Sequence, residues 1–554
     1  MGSNWPDRIK GRIPEILLGL AVVISGWMIL SYTSNLTFTA DEWQILFFRQ
    51  HGLDSVIQPY YEHILILPTL LYRATTNLFG MDSDRPNQII ATLTFLLTAV
   101  LFFVYFRRRA GAWAALIATC LLLFLGAAFE DFLLAFQIAY YGSLAAGIAA
   151  LLALDRDDRK GDVAACALLV LSLLWSTLAI PFVIGAFVEW ALNPRDRRRR
   201  IFVPGATIVV YGLWWIGWGH NADASGLSFH NLVDLPEYVG KAIASGFTSL
   251  AGLATGDGSL PSQPHLIWGA LLAAAALIAS GLRIRHLGKV PREVWITGAL
   301  ALSFWVLAGL NQSDVRLPTS SRYQLPSAVF ILLIAANMLK GVKIGNRELV
   351  VAGLLSALAI QGGVHLMHEQ KETRWEPSST YVKTYLGAVD LAGSSARPDY
   401  VIDLRTNAEI DKVIPIGLWQ QTVADHGSPG YDEGQIYGAE PQYRATADTT
   451  SIDVAGLQLS GAPPALTNPE CTVLKDPVAD SPLEVSSNQL TISAGGKEDL
   501  AVALSRYSDP PGAQIGSVLA GSEAGLTLPP DNSTRNWRLS FGGDGPAKVC
   551  EGRP

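Results

Sequence analysis

Four short groups of residues have the types and spacing to do chemistry. Asp41 and Glu42 stand together in Thr39–Ala–Asp–Glu–Trp43. Glu62 and His63 close Tyr60–Tyr–Glu–His63, Glu130 and Asp131 follow Phe129, and Arg316 and Arg322 frame a stretch ending Ser320–Ser–Arg–Tyr323. A carboxylate flanked by aromatics, as Asp41 is by Phe38 and Trp43, is partly desolvated and suited to accepting a proton from a hydroxyl. Arginine among hydroxyl groups suits an anion, because its planar fork meets a phosphate with two parallel hydrogen bonds. A proton acceptor and an anion clamp are the parts needed when a hydroxyl displaces a phosphate from carbon.

Each group also has a plainer explanation. Asp41 and Glu42 would serve as the acids that favour a helix N-terminus after Thr39. His63 would bind a phosphate or position Asp41, or be a hydrogen-bonded loop histidine. Glu130 and Asp131 mark a turn between two apolar runs, where polar residues are needed anyway; as chemistry they would bind a divalent metal (Mg or Mn) or an acceptor sugar. Gln137 lies one or two turns inside the next apolar run, where an amide is costly unless paired. Arg316 and Arg322 have an alternative in a salt bridge to an acid such as Asp314. Trp419 and Trp537 read better as buried core than as platforms for sugars.

The elements that must position these groups are built for lipid. Half of the 554 residues are hydrophobic and 16% are charged, against roughly 25% in soluble proteins. A span needs about 20 apolar residues. Such runs lie near 14–33, 88–106, 112–129, 133–153, 162–176, 178–193, 201–219, 265–282, 293–310, 326–340 and 347–366, about eleven in all. The first is read as an uncleaved helix, since Ile16–Tyr32 lacks a small-x-small cleavage site. Residues 237–253 are moderately apolar and fit a helix at the outer interface. Residues 43–49 and 64–72 fit similar interfacial helices, with Trp43, Phe47 and Phe48 facing lipid.

Basic residues favour the cytoplasmic side. With the N-terminus inside, the inner segments hold 21 lysines and arginines, among them Arg107–Arg109 and Arg197–Arg200, and the outer loops six: Arg49, Arg73, Arg85, Lys241, Arg316 and Arg322. That asymmetry puts the acids and the C-terminal part outside a multi-pass plasma-membrane protein. No basic run interleaved with aromatics points to nucleic acid. From about Glu369 the apolar runs shorten and turn signals multiply. The expected fold is therefore an α-helical polytopic membrane protein, N-in and C-out, with a C-terminal β-rich domain: a transmembrane module over 1–368, a mixed linker subdomain over 369–454 with a helix at Ser379–Leu391, and a β-sandwich over 455–554. Cys120 and Cys166 sit in apolar runs; Cys471 and Cys550 lie in the polar part, where a disulfide fits an oxidising compartment.

The order of these features, with an inside N-terminus, a first span followed at once by Asp41–Glu42, about ten more spans and an outer β-domain, resembles the GT-C superfamily of polyprenyl-phosphate-dependent glycosyltransferases. Its members include protein mannosyltransferases, aminoarabinose transferases of lipid A and arabinofuranosyltransferases. The resemblance implies that Asp41, with Glu42 second, is the general base of an inverting transfer from a polyprenyl-phosphate sugar to an extracytoplasmic glycan, lipid or protein. It matches Glu130 or Asp131 to a second-loop acid, and Ser321–Arg322–Tyr323 to phosphate-binding positions. High Ala, Gly and Arg usage suits a GC-rich bacterium. The competing classes are a polysaccharide polymerase or ligase, against which the short, histidine-free loop 311–325 counts, and a transporter or flippase, against which charges grouped at the faces count.

Overall fold

A computed structural model of the chain describes residues 12–39, 41–193, 200–222, 228–255, 263–313, 316–404 and 412–552. It divides into two compact units that interleave in sequence. The first comprises Met1–Asn35, Phe48–Thr75 and Arg85–Trp375; the second comprises Leu36–Phe47, Thr76–Asp84 and Glu376–Pro554. Two loops between apolar runs thus belong with the C-terminal part, and one of them carries Asp41.

The first unit is helical, and the protein is a membrane protein. Six described helices are long and apolar enough to cross a bilayer: Ile13–Tyr32, Arg85–Ala110, Ala135–Leu154, Leu266–Leu287, Arg292–Leu310 and the helix beginning at Asn346. A helix lies over each of the other expected runs, but several are short, such as Ala179–Leu192 and Phe202–Gly217. The run expected over 112–129 is not one helix. Ala112–Leu123 ends at Phe124 and the chain turns through Gly126–Ala128 into Phe129–Leu133. The break lets the backbone at Gly126 pack onto Gly363, where an added Cβ would stand 1.6 Å from the Gly363 carbonyl oxygen. Such close backbone approach is how apolar helices gain packing energy without a hydrophobic driving force.

The segment expected as an interfacial helix over 237–253 is longer and more enclosed. Phe229–Leu250 runs 22 residues and buries Tyr238, Ala242, Ala244, Ser245, Thr248 and Ser249. Ser245 and Ser249 both donate to the Gln324 side-chain oxygen, at 3.1 and 3.0 Å. The amide nitrogen of Gln324 donates in turn to Ser320 O at 2.9 Å.

Several buried polar side chains inside the first unit are paired, as a low dielectric favours. Asn337 accepts from Arg109 Nε at 2.6 Å and donates toward Tyr105 Oη at 3.0 Å. Arg200 is 1% exposed; its Nη1 stands 2.7 Å from Glu189 and its Nε 3.1 Å from Asp162, and it also bonds Asp157. The basic run that contains Arg200 is otherwise outside the described residues.

The second unit is helical before it is β-rich, and a helix, Glu376–Ala392, covers the one expected at Ser379–Leu391. Glu376–Ala392, Ile416–His426, Glu433–Gly438 and Pro441–Ala455 are helices, and a two-residue pair, β1 (Val401–Ile402) with β2 (Ile414–Pro415), lies between the first two. Local signals account for them. Asp432 and Gln435 form a reciprocal capping box, and Pro441 opens a helix that Gly456 closes at φ 64°. Two four-stranded antiparallel sheets follow, in orders β3–β10–β5–β8 and β4–β9–β6–β7, with β3 Glu470–Leu474, β4 Leu483–Val485, β5 Gln489–Ala494, β6 Leu500–Ser505, β7 Ala513–Val518, β8 Glu523–Thr527, β9 Trp537–Gly542 and β10 Ala547–Glu551. Alternate residues such as Leu490, Ile492, Val502, Leu504, Leu539 and Val549 fill the core between them. Cys471 and Cys550 are directly opposite in β3 and β10 and are disulfide-bonded.

Candidate functional site

The first unit contains a cavity of about 380 Å³. Its lining mixes polar and charged side chains, Glu62, His63, Tyr140, Asn311, Arg316 and Tyr323, with apolar ones, Leu178, Ile180, Pro181, Trp214, Phe304 and Leu307. The polar part of the lining starts from a tight turn. Tyr60 and His63 exchange backbone hydrogen bonds at 3.0 and 2.8 Å, and Tyr61 takes φ 48°. A tyrosine in the left-handed region stores strain, and such strain collects where a turn must aim a side chain. Here the turn presents Glu62 and His63 consecutively. Arg49 braces it through Gln58 O and Pro59 O, and Trp214 Nε1 donates to Ile57 O at 2.7 Å.

Glu62 accepts from both terminal nitrogens of Arg316, the second at 3.3 Å. His63 Nε2 lies 3.7 Å from the same carboxylate, and its Nδ1 bonds the Thr177 hydroxyl. Burial works against the Glu62 charge, but His63 and the paired Arg316 outweigh it and hold the carboxyl below its usual range. Burial pushes His63 the other way, toward the neutral ring, and the nearby Arg316 and Arg322 add to that against the pull of Glu62. The site is therefore set with Glu62 ionised and His63 neutral near pH 7.

A second cluster in the same unit joins two motifs that are far apart in sequence. Ser321 Oγ donates to Ala127 O at 2.8 Å and accepts from Glu130 N at 3.1 Å. The Arg322 backbone N–H donates to the Glu130 carboxylate at 3.2 Å. Asp131 is 1% exposed and lies within the field of Arg322. This arrangement holds the Ser321–Tyr323 turn in place, with Tyr323 on the cavity wall and its ring 5.9 Å from the Arg322 guanidinium carbon. Glu130 is engaged by the Arg322 backbone, and among the described residues no three His, Cys, Asp or Glu are grouped to hold a metal. Gln137 is buried at the start of the helix Ile138–Leu154 and is not among the cavity-lining residues. Asp314, the acid considered as an arginine partner, lies outside the described residues; Glu62 holds Arg316 instead.

In the second unit, Asp41 opens the helix Asp41–Phe48 and is half-buried. Glu42 is 1% exposed. Its side chain accepts from Thr39 N at 2.8 Å, and its own N–H donates to Thr39 O at 3.1 Å. That is the return half of a capping box, so the Glu42 carboxylate serves the helix start. The expectation that Trp43 and Phe47 face lipid is overturned. Trp43 is fully buried, its ring centroid 5.6 Å from Phe38, 5.9 Å from Phe47 and 6.3 Å from Trp419. Trp419 is 1% exposed and donates to Asp390 at 2.7 Å. Trp537 is buried beneath Arg506, whose guanidinium stands 4.1 Å from the ring centroid. Both are core.

Sequence reasoning marked Trp175–Ser176–Thr177 only as a tight turn, yet Ser176 and Thr177 line the cavity. It gave Tyr140, Tyr211 and Trp214 no role because aromatics within apolar runs carry no signal beyond hydrophobicity. His220, also on the lining, ends one such run and was likewise passed over.

No family model matches the chain, and no curated protein sequence matches it. Among solved structures, the chain is similar to the crystal structure of ArnT from Cupriavidus metallidurans bound to undecaprenyl phosphate, at 14% sequence identity over 85% of this chain and 96% of that chain, with a TM-score of 0.44.

Proposed function

We propose that this protein is an integral-membrane glycosyltransferase of the GT-C kind. It moves a sugar from a polyprenyl-phosphate donor to a glycan, lipid or protein acceptor on the extracytoplasmic side, with the N-terminus in the cytosol. The observation that supports this most is a cavity whose lining combines an arginine, a histidine and tyrosines with apolar side chains such as Leu178, Ile180, Phe304 and Leu307. A phosphate with a hydrocarbon tail asks for that combination. Arg316, Arg322, Tyr323 and His63 are assigned to the donor phosphate. Asp41 is assigned as the general base, and Glu42 is set aside because its carboxylate caps a helix.

In the reaction, the acceptor hydroxyl attacks the anomeric carbon and loses its proton to Asp41. The bond from that carbon to the phosphate oxygen breaks with inversion, and the electron pair leaves on the phosphate. Guanidinium groups stabilise the charge as it develops, which is where electrostatic catalysis has its largest effect.

The test separates the two assignments. Purified protein in liposomes is given polyprenyl-phosphate-linked sugars, and donor binding and turnover are measured separately. Asp41→Asn should lose turnover by a factor of 10² or more while binding donor normally. Arg322→Gln should weaken donor binding. Normal turnover in Asp41→Asn would remove the base assignment. A wild-type protein that carries the intact lipid-linked sugar across the bilayer without cleaving it would favour a flippase.

A further inference from the structure

The Arg316 fork that the proposed function assigns to the donor phosphate is already filled. Both of its terminal nitrogens point at Glu62. The side chains are 16% and 23% exposed, so this is a half-enclosed pair inside a cavity rather than a surface contact. An anion approaching the same edge of the guanidinium meets a carboxylate in its place. The surroundings do not relieve the conflict: the Glu130 carboxylate accepts from the Arg322 backbone N–H.

Glu62 has somewhere else to go. His63 Nε2 is 3.7 Å from its Oε1. The other ring nitrogen, Nδ1, bonds the Thr177 hydroxyl. With Thr177 donating to Nδ1, the ring proton sits on Nε2 and is aimed at Glu62. A small rotation of the Glu62 side chain exchanges the Arg316 bonds for the His63 N–H and leaves the guanidinium open.

We infer that Glu62 is a latch on the phosphate site: it occupies Arg316 in the empty protein and moves to His63 when the phosphate of a prenyl-phosphate ligand takes its place. The inference rests on the proposed use of Arg316 and adds to it a positioning residue that sets how tightly, and how selectively, an anion is admitted. A weakly charged or neutral headgroup would not displace Glu62; a phosphate would. Thr177 fixes the histidine tautomer that makes the exchange possible.

The test uses the full chain in nanodiscs of zwitterionic lipid, with farnesyl phosphate as probe and farnesol as the tail-only control. Glu62→Gln should bind farnesyl phosphate at least ten times more tightly than wild type, with farnesol binding unchanged. Glu62→Asp, which keeps the charge but shortens the reach, should fall between the two and guards against a misfolded glutamine variant. The gain should vanish in the Glu62→Gln/Arg316→Gln double variant. Equal or weaker binding by Glu62→Gln would overturn the latch while leaving the proposed function standing. A gain that persists without Arg316 would also overturn it, since it would then be general repulsion. If neither wild type nor Glu62→Gln distinguishes farnesyl phosphate from farnesol, the phosphate reading of the cavity falls, and the latch with it.

Discussion

The helical unit carries a charged cluster at each end of the same helices, and the two are built to different specifications. Ala179–Leu192 contributes Ile180 and Pro181 to the cavity of about 380 Å³ and Glu189 to a second cavity of about 350 Å³; Arg292–Leu310 contributes Phe304 and Leu307 to the first and Arg292 and Glu293 to the second. At 1.5 Å per residue the two lie roughly 15–20 Å apart along the helices. The second cluster is a network around a buried centre. Arg200 is sealed among Asp157, Asp162 and Glu189, Glu189 also takes Arg292, Arg109 is answered by Asp155 and Asn337, and Lys340 by Glu293 at 2.7 Å. The first holds a single bidentate pair, Glu62 with Arg316, on a cavity lining that also carries apolar side chains. The bond types are alike; the difference is that the central arginine of the second is buried among three acids, whereas Arg316 has one. An arginine held by several buried acids fixes how helices pack, whereas one held by a single carboxylate on a cavity lining can exchange it for a ligand.

That contrast is best broken by removing one arginine from each end. Arg200→Gln strands Asp162 and Glu189 in the interior and should cost about 3–5 kcal/mol, seen as a large drop in thermal midpoint or in folded yield. Arg316→Gln breaks one half-enclosed pair on a cavity lining and should cost less, about 1 kcal/mol, while lowering affinity for a prenyl phosphate. Equal destabilisation by the two would abolish the distinction.

The amide hubs sharpen it. Asn337→Leu at the Arg200 end and Gln324→Leu at the Arg316 end each remove a buried hydrogen-bonding centre, at about 1–3 kcal/mol. Gln324→Leu should also weaken prenyl-phosphate binding, because Gln324 anchors Ser320 and with it the Ser321–Tyr323 turn. A binding defect in Asn337→Leu of the same size would contradict the division of roles.

The smallest effect is a pH dependence confined to the Arg316 end. Glu62 is depressed, so its contribution to stability is present above its unfolded value of about 4.3 and is lost as pH falls through the lower folded value. His63 is also lowered, so below about 6.5 the unfolded chain takes up a proton that the folded one refuses, and stability falls toward acid. Solvent access reduces both contributions. Thermal midpoints between pH 7.5 and 5.5 should fall, and His63→Gln should flatten the upper part of that slope. An unchanged slope would show that His63 does not titrate differently in the folded protein.

Much of the fold was legible. Apolar length located the helices because lipid demands about 20 residues per crossing, and alternation found β5 and β6 because a two-sheet core demands a period of two. What was missed depends on tertiary contact. The break at Phe124 follows from the Gly126–Gly363 approach, which no local pattern encodes. Trp43 was expected in lipid because an aromatic at a span end looks the same whether it meets lipid or Trp419. Of the helices of 376–455 only the first, expected at Ser379–Leu391, was read; the others were hidden by a composition rich in Ser, Thr, Asp and Gly, though Asp432–Gln435 and Pro441 were readable caps. For the site, residue types were informative and partners were not. Glu42 was read as a second base, but it caps Thr39; Arg316 was read as a phosphate ligand, and it is held by Glu62, which lies 254 residues away.

The central claim is that the protein cleaves a lipid-linked sugar phosphate. The most direct measurement is single-turnover chemistry on wild-type protein in liposomes loaded with a panel of polyprenyl-phosphate sugars, followed by separation of lipid and sugar products. The account predicts that one donor is converted to free polyprenyl phosphate in step with glycosylated acceptor of inverted anomeric configuration. Binding of donors with no polyprenyl phosphate released from any of them, across glycan, lipid and peptide acceptors, would contradict it.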